Sequence, residues 1–300
     1  MSANLTRKIG IVGYTGMVGM ELTSHIEKMD GVEIVYTKNS KGETGKMSDC
    51  DLIFLATKDK ESMVNARLAL EAGCKVIDMS GAFRLSEEEF EKWYHMDHEA
   101  KDILPDAVYG LPAINREKIK NAKLIANPGC YATSVILALR PVADLVEGEA
   151  TVVSTSGNSG ARKEAEDVAD DIAYSYGKKH KHVPEMARYS GVPVNFTPVV
   201  LRSVFRGINT NIRVKLKDSA TTREQLEEAV KKAYVAEDLI TVVRDENGEM
   251  HGTKDVNDTN AAIIKINVDE GYAYINCCID NLGKGAATQG IENMMLMLGM

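Results

Sequence analysis

The chain has 300 residues, 44% hydrophobic and 27% charged, with 36 basic against 44 acidic side chains for a net charge of −8. That is the composition of an ordinary globular protein with room for about two domains, and it excludes disorder and a broad nucleic-acid-binding face, which draws on excess Lys and Arg. No apolar run approaches the ~18 residues of a membrane span, no signal or transit peptide is evident, and five cysteines without a CxxC pair argue against disulfides or a structural zinc site. A cytoplasmic protein with no metal is the expectation.

The first apolar run, Lys8–Val12, reads as a buried strand and leads into glycines at 13, 16 and 19. GxxGxxG between a strand and a helix (Met17–Met29) gives a tight turn at Gly13, close backbone approach at Gly16 and helix–sheet packing at Gly19. The open N–H groups of the helix N-terminus then face a pyrophosphate. Gly13, Thr15, Gly16, Met17 and Val18 are the candidate dinucleotide contacts. A bare strand–helix connection would also use such glycines. After the second strand, Val32–Tyr36, an NAD site carries an acidic residue for the ribose 2′-hydroxyl. This chain reads Thr37, Lys38, Asn39, Ser40 and Lys41 there. Hydroxyl, amide and ammonium groups suit a 2′-phosphate, so NADP(H) is the expected cofactor and Ser40 a candidate contact.

Further strands are expected at Leu52–Ala56, Lys75–Met79 and Lys123–Ala126, with a helix at Glu61–Ala72. Ser86 and Glu89 have capping-box spacing for a short surface helix. Strand–helix alternation at this rhythm predicts crossover units and a doubly wound, Rossmann-like parallel sheet. Asn127-Pro128-Gly129 then forces a sharp turn before the helical run Ser134–Leu139. Cys130 is thereby set at or near a helix N-terminus, where unpaired N–H groups favour the thiolate. It is the candidate nucleophile. Cys50, Cys74, Cys277 and Cys278 sit in apolar or turn contexts and read as inert.

The second half carries longer strands: Thr151–Ser154, Asn195–Arg202, Asn209–Lys215, Ala261–Asn267 and Tyr272–Ile279. These predict an α+β catalytic domain with a mixed sheet, over 131–282. The first domain takes 1–130, and the last segment, Lys284–Leu298, reads as a helix with apolar residues at Ile291, Met294, Met295 and Leu298. Lys178–Glu185 concentrates two histidines and three lysines in an acidic chain. In an extended segment His180 and His182 face the same way. Either could be the acid/base partner of Cys130, and Glu185 could orient an imidazole. A solvated basic loop is the other reading.

Taken together, Gly13–Gly19, Val76–Arg84, Tyr109–Pro112, Asn127–Thr133, Ser156–Gly160, His180–Met186, Phe196–Pro198, Arg206–Ile208 and Asp280–Ala287 resemble the N-acetyl-γ-glutamyl-phosphate reductases, relatives of aspartate-semialdehyde dehydrogenase. Ala132 stands where that family has proline, and the loop from Ser156 to Arg162 is one residue short. The resemblance implies NADPH-dependent reduction of an acyl phosphate to a semialdehyde, through a thioester on Cys130, in arginine biosynthesis. It implies a proton shuttle at His180 or His182, with His180 slightly ahead. Ser80, Arg84, Asn127 and Glu185 would serve substrate or phosphate; Ser156, Ser159, Gly160 and Asn281 would approach the cofactor. A homo-oligomer, dimer or tetramer, is implied, as is a C-terminal helix, 283–300, that returns to the nucleotide domain. The same chemistry would serve an aminoadipyl-phosphate reductase working on the LysW carrier. A cofactor-independent Cys–His hydrolase would need no glycine loop, and a non-catalytic NADP-sensing Rossmann protein no activated cysteine.

Overall fold

A computed structural model describes residues 6–160, 171–246 and 249–300. The chain forms two compact units, one of residues 1–128 and 286–300, the other of residues 129–285. Cys130 therefore lies in the second unit, one residue from its start.

The first unit begins β1 (Arg7–Val12), α1 (Met17–Ile26), β2 (Val32–Asn39), β3 (Gly42–Thr44), β4 (Leu52–Leu55), α2 (Asp59–Glu71) and β5 (Lys75–Asp78). It continues with α3 (Glu87–Tyr94), β6 (Ala107–Tyr109), α4 (Pro112–Asn121) and β7 (Leu124–Ala126). Its sheet has the order β3-β2-β1-β4-β5-β7-β6, parallel except for the β2–β3 edge hairpin. The β4 strand is buried at every position, as a strand covered on both faces must be. Ser86 caps α3 as its spacing foretells: the Glu89 amide donates to Ser86 Oγ, and the Ser86 amide to Glu89 Oε2.

The second unit follows as α5 (Cys130–Leu139), β8 (Val146–Gly157), β9 (Ile172–Ala173), α6 (Val183–Ser190) and β10 (Val194–Leu201). Then come β11 (Ile208–Leu216), α7 (Arg223–Ala233), β12 (Ile240–Val242), β13 (Ala262–Asp269) and β14 (Tyr272–Ile279). Its mixed sheet runs β12-β13-β14-β11-β8-β10-β9. One face is covered: α5 packs on β11 and β14, α6 on β10, and α7 on β12 and β13. The opposite face presents Thr151, Val153, Asn211, Arg213, Lys265 and Tyr274 around a shallow cavity of about 620 Å³. Helix α5 is buried at every position after Cys130, so its apolar mass anchors the start of the unit.

The last helix, α8 (Ala287–Leu298), belongs to the first unit. Ile291, Met294, Met297 and Leu298 join Leu22 and Ile26 of α1 and Ile119 of α4 in one apolar cluster. Met295 is 39% exposed, and Met297 takes the inward place. Asn293 is fully buried and donates through Nδ2 to the Gly110 carbonyl (2.8 Å) and to Asn127 Oδ1 (3.0 Å). No helix among the described residues is long and apolar enough to cross a membrane.

Candidate active site

In the first unit the sheet order reverses between β1 and β4, and open α/β sheets bind ligands at the carboxyl ends of strands at such a point. The glycine loop sits there. Gly13 has φ +85°, and a Cβ on it would stand 2.3 Å from the Ala56 carbonyl oxygen; one on Gly19 would stand 2.2 Å from the Gly13 carbonyl. Only glycine fits either place. Gly16 caps α1 without any side-chain hydrogen bond, and Thr15, Gly16 and Met17 are exposed, with Val18 half-buried behind them. The helix N-terminus is thus dressed as an anion cradle, and the residues present fit a dinucleotide pyrophosphate. Thr57 and Lys58, just beyond β4 on the other side of the reversal, escape the sequence reading. No motif marks them; only the strand order does.

Ser40 and Lys41 lie exposed at the tip of the β2–β3 hairpin, where Asn39 Oδ1 accepts the Lys41 amide (2.8 Å). Lys38 reaches Asn65 Oδ1 on α2 (3.2 Å). The hairpin returns a carboxylate, Glu43, opposite Lys38. That carboxylate accepts the Tyr36 hydroxyl at 2.8 Å.

Ser80, Arg84 and Asn127 engage the framework of the first unit itself. Arg84 is buried and donates through Nε to the Asn127 carbonyl (2.8 Å) and through Nη2 to the Met79 carbonyl (3.0 Å). Ser80 Oγ donates to Asp78 Oδ2 (2.9 Å) and accepts the Ala82 amide (3.1 Å). Asn127 accepts from Asn293 and donates to the Ala286 carbonyl (3.3 Å). Burial pushes the Asp78 carboxyl up to about 6, against the pull of hydrogen bonds from Ser80 and Ser62 and the charge of Arg84.

In the second unit Cys130 is half-buried and occupies the first position of α5, with Gly129 as the extended cap residue. The N–H groups of Cys130, Tyr131 and Ala132 have no intrahelical acceptor, which favours a thiolate. Burial instead pushes the other four thiols up, Cys50 to about 12 and Cys278 to about 11, with Cys74 and Cys277 moved the same way.

The histidine segment is not extended, and while Lys178 and Lys179 are exposed the two histidines are not solvated. His180 and His182 are 9% and 8% exposed, and His182 caps α6 with αR backbone angles. Pro184 in the first helical turn explains this, because its fixed φ suits a helix start. The two rings meet edge to face at 4.7 Å, and His180 Nδ1 accepts the His182 amide (3.1 Å). Beyond that contact their surroundings differ. His180 is ringed by Tyr131, Tyr174 and Phe196 at centroid distances of 5.3 to 5.8 Å, and of these Tyr131 also lies near His182, at 6.1 Å. Burial, with nearby Lys181, pushes it down to about 4. His182 lies against the cysteine turn: a Cβ on Gly129 would stand 2.5 Å from its Cε1 and Nε2. Glu185, fully buried in the first turn of α6, accepts the Gly129 amide through Oε2 at 3.1 Å. Glu185 thereby holds the turn that leads into Cys130.

Asn281 follows β14 and joins two further loops. Its Oδ1 accepts the Gly207 amide (2.7 Å), and its Nδ2 donates to Ser159 Oγ (3.0 Å), with Gly160 beside it. Ser156 shares a hydrogen bond of 2.6 Å with the Tyr131 hydroxyl. A Cβ on Gly285 would stand 2.8 Å from that of Cys130, so the glycine admits the Asp280–Gly285 loop to the cysteine. Arg162 lies outside the described residues. No group of three His, Cys, Asp or Glu side chains suited to a metal occurs among the described residues.

Residues 130–281 match the family model described as semialdehyde dehydrogenase, dimerisation domain, and residues 37–122 match semialdehyde dehydrogenase, NAD binding domain. N-acetyl-gamma-glutamyl-phosphate reductases from Clostridium novyi and Thiobacillus denitrificans are each 34% identical over 98% of this chain and 96% of theirs. The enzyme of that name from Thermus thermophilus is 33% identical over 97% and 96%. Among solved structures, aspartate semialdehyde dehydrogenase II from Vibrio cholerae has a TM-score of 0.76 at 20% identity, covering 97% of this chain and 98% of its own. Aspartate semialdehyde dehydrogenase with NADP from Candida albicans has a TM-score of 0.73 at 15% identity, covering 98% of both. The two structures share the fold.

The depressed His180 has a consequence for stability. Between about 4 and the ordinary value of about 6.5, its imidazole is neutral in the fold and charged in the unfolded chain. The stability it contributes is complete above that ordinary value and is lost as pH falls towards 4. Ring nitrogen shifts followed by NMR should therefore show a neutral His180 at pH 5.5. A titration midpoint near 6.5 would contradict the caged geometry.

Proposed function

The chain belongs to the N-acetyl-gamma-glutamyl-phosphate reductase family, and on that premise we propose that it reduces N-acetyl-γ-glutamyl phosphate through a thioester on Cys130. The observation that carries the chemistry is Cys130 at the first position of α5, with the His182 ring against the glycine before it. Cys130 Sγ attacks the γ-carbonyl carbon, a C–S bond forms, the bond to the phosphate oxygen breaks, and phosphate leaves. NADPH, when bound, supplies the hydride that reduces the thioester. His182 gives a proton to the carbonyl oxygen as it becomes a hydroxyl. It takes that proton back as the C–S bond breaks, releasing the semialdehyde and restoring the thiolate. His182 suits this role better than His180, because a group pushed down to about 4 is a poor proton carrier near neutral pH.

Glu185 holds the Gly129 amide and so keeps the Cys130 turn in place. Gly13, Thr15, Gly16, Met17 and Val18 would hold the pyrophosphate, with Thr57 and Lys58 opposite. Ser159, Gly160 and Asn281 form the part of the second unit suited to a cofactor end, and Lys38, Ser40 and Lys41 suit a 2′-phosphate. The framework bonds of Ser80, Arg84 and Asn127 support a shaping role for these three towards the substrate.

We further propose that the open face of the second sheet, around Val153 and Tyr274, pairs with another copy of the chain. The match to a dimerisation domain supports this reading.

Cys130→Ser should abolish turnover while leaving NADPH binding intact. His182→Asn should lower kcat by about 100-fold, and His180→Asn by far less. Substantial reductase activity in Cys130→Ser sinks the thioester route, and a larger loss at His180 reverses the assignment of the shuttle. In a cofactor comparison, NADPH should outperform NADH at equal concentration, and equal use refutes the 2′-phosphate reading. Light scattering should give a particle of at least twice the 32.8 kDa chain mass; a particle of one chain mass removes the pairing.

A further inference from the structure

Under the cysteine helix lies a line of hydroxyl groups that the proposed chemistry does not use. Ser134, Ser154 and Thr210 are each fully buried, on α5, β8 and β11. Thr210 and Ser154 stand directly opposite each other in the β11–β8 ladder. Ser134 Oγ donates to the Tyr131 carbonyl at 2.9 Å. A hydroxyl has one proton, so Ser134 accepts from Thr210 Oγ1 at 2.7 Å, and Thr210 accepts from Ser154 Oγ at 2.8 Å. The direction of every bond is thereby fixed, from Ser154 through Thr210 and Ser134 to the first turn of α5.

Most of the remaining surface that seats this helix is apolar, with polar ties at its far end, where the Tyr234 hydroxyl donates to the Leu137 carbonyl (2.9 Å), and at its cap, where the Gly129 amide donates to Glu185. Tyr131–Leu139 is buried throughout, and the neighbouring sheet positions Val152 and Ile212 are apolar. Apolar burial is non-directional and fixes neither the rotation nor the axial position of a helix closely. Hydrogen bonds of 2.7–2.9 Å do fix them, and in a dry interior they resist displacement because each broken bond strands a buried hydroxyl. A second tether acts on the same turn. The Tyr131 hydroxyl bonds Ser156, two residues along β8 from Ser154 and on the same face. Both tethers close on the residue next to Cys130.

We infer that Thr210, with Ser134 and Ser154, forms a positioning chain that sets where the first turn of α5 holds the Cys130 sulfur. The inference rests on Cys130 as the nucleophile. The three residues touch no reacting atom; they act through the helix.

Thr210→Val keeps the shape of the side chain and removes the hydroxyl, while Thr210→Ser keeps the hydroxyl. In Thr210→Val, kcat should fall about tenfold with KM for both substrates within about twofold, and alkylation of Cys130 by iodoacetamide, located by peptide mass, should slow by a similar factor. Thr210→Ser should stay within about twofold of the parent in each measurement. Folded Thr210→Val protein with parental kcat and parental alkylation overturns the inference. If Thr210→Val does not fold, Ser154→Ala removes only the terminal donor. It should show a smaller loss in the same two measurements, and no loss overturns the inference equally. Alkylation is read without turnover, so the Val–Ser contrast survives even if Cys130→Ser remains active. That last result would remove the nucleophile reading instead.

Discussion

The peptide of Gly129 is where the constraints on the second unit converge. Its amide donates to a carboxylate with no exposed surface, its α-carbon faces an imidazole too close for any side chain, and its carbonyl accepts the first helical amide, that of Thr133. A buried carboxylate is tolerated only where it is hydrogen-bonded, so Glu185 and the turn stabilise each other. Because Glu185 and His182 share one helical turn, fixing α6 fixes the imidazole against the cysteine turn as well. The proposed chemistry therefore draws on the arrangement of two helix starts, α5 and α6, as well as on the Cys130 and His182 side chains they carry. Each start carries a turn-making residue that makes the approach possible, Gly129 in one and Pro184 in the other.

The first unit distributes its polar groups differently. Several side chains with the look of anion ligands are turned to the framework of the unit: Arg84 to two carbonyls, Ser80 to the Asp78 carboxylate and an amide, Asn127 to the Asn293 side chain and a carbonyl. Loops at the carboxyl ends of parallel strands have few partners in the ladder, so their buried carbonyls and amides must be satisfied by side chains. This rigid rim leaves the glycine loop and the hairpin tip as its exposed, unencumbered parts.

Much of this was legible in the sequence. Buried parallel strands read as short apolar runs, and the Ser86 box, the Pro-Gly turn and the three glycines each carry a local mechanism that context does not override. The sequence misleads where composition masks a local signal or where the deciding contact is distant in the chain. Helix α6 is announced by Pro184 and stopped by Gly191, whereas the histidine spacing and the lysines read as an extended segment or a solvated loop. Helix α7 has a capping box at Thr222 and Gln225. The difference between His180 and His182 is not readable from their spacing, because it lies in the Tyr174 and Phe196 rings that pack on His180 and in the Gly129 turn against His182. Thr57 and Lys58 became visible only through the strand order, and the use of Glu185 only through a contact 56 residues away.

Helix α8 carries a different kind of consequence. It completes the apolar cluster of a unit whose other residues end at Pro128, and Asn293 supplies partners to Gly110 and Asn127. During synthesis from the N-terminus, 157 residues of the other unit emerge before that helix does. The nucleotide-binding unit must wait through all of them with one apolar flank uncovered, while residues 129–285 can already fold. Order of translation and order of completion are thus opposed in this chain. The half made first is finished last, and a ribosome that stops short of residue 286 releases a protein with its cysteine helix complete and its nucleotide-binding half unsealed.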